Sequence, residues 1–154
     1  MAVENRPYDL VVIGGGAAGI FAAINTARLQ PTWKILVLEK TNKLLAKVKV
    51  SGGGRCNVTH ACFDKKEFSS FYPRGGAFVK KYVHHFFTTD TIEWFLQRGV
   101  KFKTESDGRM FPVTDRSQTI IDILLKEAAT YQVELGIQSA VTDVTKKDKL
   151  FFCL

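Results

Sequence analysis

Two short runs in this 154-residue chain carry residue types suited to holding a phosphate-bearing ligand. The first is Gly14-Gly15-Gly16-Ala17-Ala18-Gly19, in which Gly14, Gly16 and Gly19 have the G-x-G-x-x-G spacing. Each glycine of that pattern has its own physical task. One makes a tight turn, one lets the backbone approach a pyrophosphate, and one lets a helix pack closely on a strand. A helix starting there presents unpaired N–H groups and a partial positive charge to the phosphates. Glu39 follows Gly19 by 20 residues, where a carboxylate can accept hydrogen bonds from the hydroxyls of an adenosine ribose. The same carboxylate would repel a 2′-phosphate. The second run, Ser51-Gly52-Gly53-Gly54-Arg55-Cys56-Asn57-Val58-Thr59, combines a flexible backbone, a permanently charged guanidinium and several hydroxyl and amide groups. Alone, it reads as an anion-binding loop of no fixed type.

The elements flanking the first run are those such a loop needs. Residues 8–13 are a short β-branched run ended by glycine and predict a buried strand. Residues 17–30 predict a helix, with Ile20, Phe21, Ile24 and Ala27 at helical spacing and Pro31 beyond its end. Residues 34–39 predict a second buried strand, so 8–39 is a βαβ core with parallel strands. Residues 40–60, which hold the second glycine run, show no periodicity. Residues 63–87 are aromatic and basic, with Ala77, Phe78, Lys81, Tyr82 and His85 at helical spacing. Asp90 with Glu93 reads as a helix-start pair, Gly99 as its stop, residues 100–104 as a strand and 106–108 as a turn. Ser117 is expected to cap an amphipathic helix running to Tyr131, with Ile120, Ile121, Leu124, Leu125 and Ala128 buried. Residues 133–137 and 140–144 predict strands, 146–149 a hairpin turn, and 150–154 a final strand.

Composition narrows the function classes. With 45% apolar and 24% charged residues, the chain is neither disordered throughout nor collagen-like, and its length suits one domain. Lys and Arg number 22 against 15 Asp and Glu; the net charge of +7 invites an anionic partner. Cys56, Cys62 and Cys153 form no disulfide framework, which points to reduced thiols and a cytoplasmic protein. The apolar stretch 10–24 after Arg6 raises a signal peptide, but Asp9 and the glycines suit a turn better than a continuous hydrophobic helix. No uncharged apolar run is long enough to span a membrane, so no membrane insertion is expected. Cys56, His60 and Cys62, with His84 or His85, match no common zinc spacing; no metal is expected.

The two glycine runs, Glu39-Lys40, and Asp107-Gly108-Arg109-Met110-Phe111-Pro112 with Thr114, Ser117 and Gln118 together resemble a family of bacterial flavoproteins. Its members are NAD(FAD)-utilising dehydrogenases, among them aminoacetone-oxidase-like and dehydro-bile-acid-reductase-like proteins. The resemblance covers essentially the whole chain. It implies an α/β fold, a Rossmann-like FAD-binding domain of glutathione-reductase-like topology. Here it is incomplete, with a mostly helical insertion after the second strand. The expected parts are the βαβ core at 8–39, a flavin loop at 45–60, an insertion at about 61–116, and a helix and strands at 117–154, the N-terminal part of one FAD-binding domain with the substrate lobe absent.

The implied FAD contacts are Gly14, Gly15, Gly16, Ala18, Gly19, Glu39, Lys40, Ser51, Gly52, Gly53, Arg55, Cys56 and Asn57, with Val141 meeting adenine through its backbone. Where many members carry Gly-Arg-Lys, this chain has Leu45-Ala46-Lys47, so Lys47 or Lys49 is the expected substitute for that arginine. Cys56, beside Arg55, is a candidate for a lowered thiol pKa near the flavin. No residue stands out as a general acid or base. The whole protein is expected to move electrons between NAD(P)H, flavin and a small organic substrate. An exposed incomplete face would favour self-association.

A non-catalytic nucleotide- or nucleic-acid-binding module is the competing class, and an NAD-only module a third. The Lys65-Lys66, Lys80-Lys81 and Lys146-Lys147 pairs are scattered, so nucleic acid is not the expected partner. The aromatics between them read as core packing or as cover for a missing lobe.

Overall fold

The computed structural model describes residues 7–154; Arg6, weighed above as a signal-peptide flank, lies outside the described residues. The described chain forms two compact units. One holds the residues through Val48 together with Ile121–Leu154, and the other holds Lys49–Ile120.

The first unit is built on a parallel sheet. β1 (Leu10–Ile13) pairs with β2 (Ile35–Leu38), which pairs in turn with β6 (Glu134–Gly136). Between β1 and β2 runs α1 (Ala17–Leu29), packed on both strands. Its Ile20, Ala23, Ile24 and Ala27 are buried, as are Ile35 and Val37 of β2 and Leu124 and Ala128 farther along. Each of the isoleucine, valine and leucine side chains among them contributes about 1.5–3 kcal/mol. β1 differs from its expected burial. It has one neighbour among the described residues, is only half-buried, and leaves Ile13 56% exposed. The hairpin also shifts. Its strands are β7 (Val144–Lys147) and β8 (Leu150–Cys153), so 140–143 is not a strand, and Lys146 and Lys147 belong to β7 rather than to the turn. Asp148 and Lys149 both take positive φ, the demand of a two-residue hairpin turn.

In the second unit β3 (Thr59–His60), β5 (Arg109–Pro112) and β4 (Phe102–Thr104) form an antiparallel sheet in the order β3-β5-β4. The segment between β3 and β4 is helical, with α3 (Lys65–Phe68), a 3₁₀ turn (Ser69–Phe71), α4 (Gly76–Tyr82) and α5 (Thr88–Leu96). Phe111, with Trp94, Phe95, Val100 and Met110, fills the core. Phe63, Phe71, Phe78 and Tyr82 are exposed, which removes the core-packing alternative for them.

Two caps differ from expectation. Asp90 sits a turn inside α5, its carboxylate accepting the Phe87 N–H at 2.7 Å. Ser117 opens α6 (Ser117–Thr130), but its hydroxyl donates to the Lys49 carbonyl at 2.8 Å instead of capping the helix. α2 (Ala46–Gly54), which has no amphipathic stripe to announce it, lies in the region read as aperiodic, and its helical geometry breaks at Ser51, Gly52 and Gly53.

Candidate functional site

The first glycine run joins the C-terminal end of β1 to the N-terminus of α1, where open α/β sheets bind their ligands. Gly14 turns the chain with φ +108°, a value that L side chains rarely adopt, and its N–H donates to the Leu38 carbonyl at 2.8 Å. Gly15 is buried, and a Cβ there would overlap the Leu44 side chain and lie 3.0 Å from Glu39 Cβ. Gly16 caps α1 with no side-chain partner, and a Cβ on it would meet nothing within 4 Å. Backbone is thus bare where a phosphate would approach the first-turn amides, Ala18 is exposed there, and no acid occupies that turn. Gly19 is the close-packing glycine: an added Cβ would overlap the Gly14 carbonyl oxygen.

Glu39 leaves the end of β2 into a lattice of its own. Its Oε2 accepts the Gly15 N–H at 2.9 Å, and its Oε1 accepts the Thr41 N–H and hydroxyl, both at 2.9 Å. A carboxylate has about four acceptor positions, so Oε2 retains one for a ligand hydroxyl. These bonds, from the Thr41 amide first and then the Gly15 amide, hold the Glu39 carboxyl below its ordinary value of 4.5. A lowered folded-state pKa gives stability that is present above the unfolded value and lost as pH falls through the folded one. Melting temperature should therefore hold steady on acidification to about the ordinary carboxylate range and fall below it. Glu39→Gln should flatten part of that acid limb; a limb identical to the parent's would show that the lattice contributes nothing.

Residues 136–141 complete the wall. The Glu39 N–H donates to the Gly136 carbonyl at 2.8 Å, the Ser139 N–H to the Glu39 carbonyl at 2.9 Å, and the Gln138 N–H to the Thr41 carbonyl at 2.9 Å. The result is a cleft of about 160 Å³ lined by Ile13, Gly14, Leu38, Glu39, Lys40, Ser139, Ala140 and Val141. Gly14, Glu39, Lys40 and Val141, distant in sequence, therefore share one cleft. Ile13, Leu38, Ser139 and Ala140 were not singled out from sequence; they line it by following strand ends, and no residue-type signal marks them. Lys47 is exposed on the first turn of α2.

The second glycine run belongs to the other unit. Ser51 is extended, and Gly52, Gly53 and Gly54 follow with φ of 55°, 68° and 85°. A Cβ on Gly52 would lie 2.6 Å from Phe111 Cε1 and 2.9 Å from the Asn57 nitrogen, so the loop is wrapped tightly on that ring. On Gly53 it would meet nothing, and Asn57 is exposed. Lys49 donates to the Gln118 side chain at 2.7 Å. Cys56 corrects one expectation. Its side chain is buried and burial pushes the thiol pKa up, opposed by a hydrogen bond with Ser51, so it is not an activated thiolate. Arg55 also departs from a free phosphate ligand: its guanidinium is bonded to Glu105, a residue the sequence did not flag.

Among the described residues, no group of three or more His, Cys, Asp or Glu is placed to hold a metal ion, and no helix is long and apolar enough to cross a membrane.

The chain is 29% identical over 124 residues to the 3-dehydro-bile acid delta(4,6)-reductase of Clostridium scindens, covering 80% of this chain and 29% of that protein. It is 29% identical over 144 residues to the ribosomal RNA dihydrouridine synthase of Escherichia coli, covering 94% of this chain and 34% of that protein. The chain thus spans about a third of these relatives' length. In fold it is similar to a 3-ketosteroid-delta4-(5alpha)-dehydrogenase from Rhodococcus jostii (TM-score 0.66, 20% identity, 99% of this chain and 44% of that one). It is also similar to the FrdA subunit of Escherichia coli quinol fumarate reductase (TM-score 0.61, 20% identity, 92% and 27%). The model of the HI0933-like protein Rossmann domain matches residues 8–154, and the chain belongs to that FAD-binding family.

Proposed function

We propose that this chain is the FAD-binding portion of a flavin-dependent oxidoreductase, in which NAD(P)H supplies electrons and a small organic molecule receives them. The observation that carries the reading is the cleft. Gly14, the Glu39 carboxylate and the Val141 segment line one opening, the bare backbone of Gly16 and the uncapped α1 N-terminus follow Gly14 in the chain, and this donor set fits the ADP half of a dinucleotide. In that reading Gly14, Gly15, Gly16, Ala18 and Gly19 hold the pyrophosphate, Glu39 and Lys40 face the ribose, and Val141 meets adenine. Ser51, Gly52, Gly53, Cys56 and Asn57 are further FAD contacts, and Lys47 is a further phosphate contact. Bound FAD supplies hydride and electron transfer; the chain's residues bind and orient it. The two relatives are named for unlike substrates, a bile acid and ribosomal RNA, so what they share with this chain supports the cofactor and not a substrate. Three free cysteines favour a cytoplasmic setting.

Thermal melts with added nucleotides test the reading. At about a hundredfold excess over Kd, FAD and ADP should each raise the midpoint by about 5 °C or more, and FMN, which lacks the adenosine half, should not. Protection by NAD without protection by FAD would point to an NAD-only module. A steeply salt-dependent affinity for single-stranded nucleic acid with no nucleotide protection would favour the interaction module.

A further inference from the structure

Arg55 is the one cation of the second glycine run, and its half-buried guanidinium is engaged by carboxylates, a backbone carbonyl and an aromatic ring. Nη1 is bonded to Glu105 Oε1, and Nη2 lies 3.5 Å from Glu105 Oε2. Nη1 also lies 3.7 Å from Asp115 Oδ1. Nε donates to the Gly52 carbonyl at 3.4 Å, and the flat face stacks on the Phe111 ring with Cζ 4.0 Å from its centroid. Two carboxylates face its charge, and each is shared with another cation. They are fixed in turn: Asp115 is bonded to Lys103, and Glu105 lies 3.6 Å from Arg109. Paired, stacked and hydrogen-bonded to the loop's own backbone, the side chain ties Gly52 to β5 and to the strand end that bears Glu105.

We propose that Arg55 is a clasp and not an anion ligand, and that Glu105 is the positioning residue that closes it, setting the shape of the Ser51–Gly54 backbone before any cofactor arrives. Three consecutive glycines have the largest conformational freedom to lose, so their left-handed run needs an outside restraint. Within this loop the Cys56 N–H donates to the Ser51 carbonyl at 3.0 Å, and Arg55 and the Phe111 ring hold it from the side. A planar fork that pairs and stacks at once is a task for arginine that lysine does not perform.

The proposal adds to the FAD reading a positioning role outside the cleft, and it rests on that reading only for its effect on affinity. The test compares Arg55→Lys, Glu105→Gln and the double variant in the full 154-residue chain. In the FAD-free protein, amide exchange across residues 51–57 should quicken by about tenfold in each single variant, with little further change in the double. FAD affinity should fall in both singles in the same proportion. Unchanged exchange in Glu105→Gln would overturn the proposal. So would tighter FAD binding in Glu105→Gln alongside weaker binding in Arg55→Lys, because a freed guanidinium would then be meeting the ligand. If the parent chain binds no FAD, the cofactor reading fails, and the exchange result still decides the clasp.

Discussion

Replacing Gly19 with alanine should weaken nucleotide binding by about 10–100-fold and lower stability by about 1–3 kcal/mol. The added Cβ would overlap the Gly14 carbonyl oxygen and sit 3.1 Å from Val12 Cγ1. A carbonyl of the turn itself cannot rotate aside as a side chain does, so α1 must move off β1. Its N-terminal amides then lose their aim. Gly16→Ala is the informative contrast. Its Cβ meets nothing within 4 Å, and φ −81° is open to alanine, so the fold should change by no more than about 1 kcal/mol. The methyl group would nonetheless stand where a phosphate approaches, so binding should weaken with stability nearly intact. Urea melts beside ADP titrations separate the two effects. Equal stability losses in both variants would contradict this account of the turn.

The second large effect is expected at Phe111. Its side chain is fully buried, and its ring is at once the wall against Gly52 and the platform for Arg55. Phe111→Ala should lower stability by about 3–5 kcal/mol through lost burial and the cavity left behind. That is a large share of a typical margin of about 5–15 kcal/mol. Denaturant unfolding followed by far-ultraviolet circular dichroism checks it. A loss under about 1 kcal/mol would mean that the glycine run does not depend on this ring.

The readable part of the sequence was the part whose signal is local. In residues 8–39 a β-branched run, a glycine turn, a helical stripe and a second β-branched run succeed one another with no contact from afar needed to define them. Glu39 was placed by counting. What escaped reading depends on partners far along the chain. Glu105 lies 50 residues from Arg55, and nothing around it marks it as the acid that would claim that guanidinium. Cys56 looked activated because Arg55 is its neighbour in sequence, yet burial decides its pKa and the guanidinium turns to Glu105. Val141 was placed by likeness to the family, while Ser139 and Ala140 beside it line the cleft without any distinguishing chemistry. The hairpin slipped because its turn, Asp148-Lys149, has no glycine to announce two positive φ values.

Retention of flavin colour tests the central claim most directly. The purified 154-residue chain is mixed with excess FAD, desalted, and its visible spectrum is recorded beside that of Gly16→Ala. The account predicts flavin absorbance eluting with the parent chain, displaced by ADP and diminished in the variant. A colourless parent peak, with FAD passing entirely to the small-molecule fraction and ADP giving no protection in the melt, would contradict it.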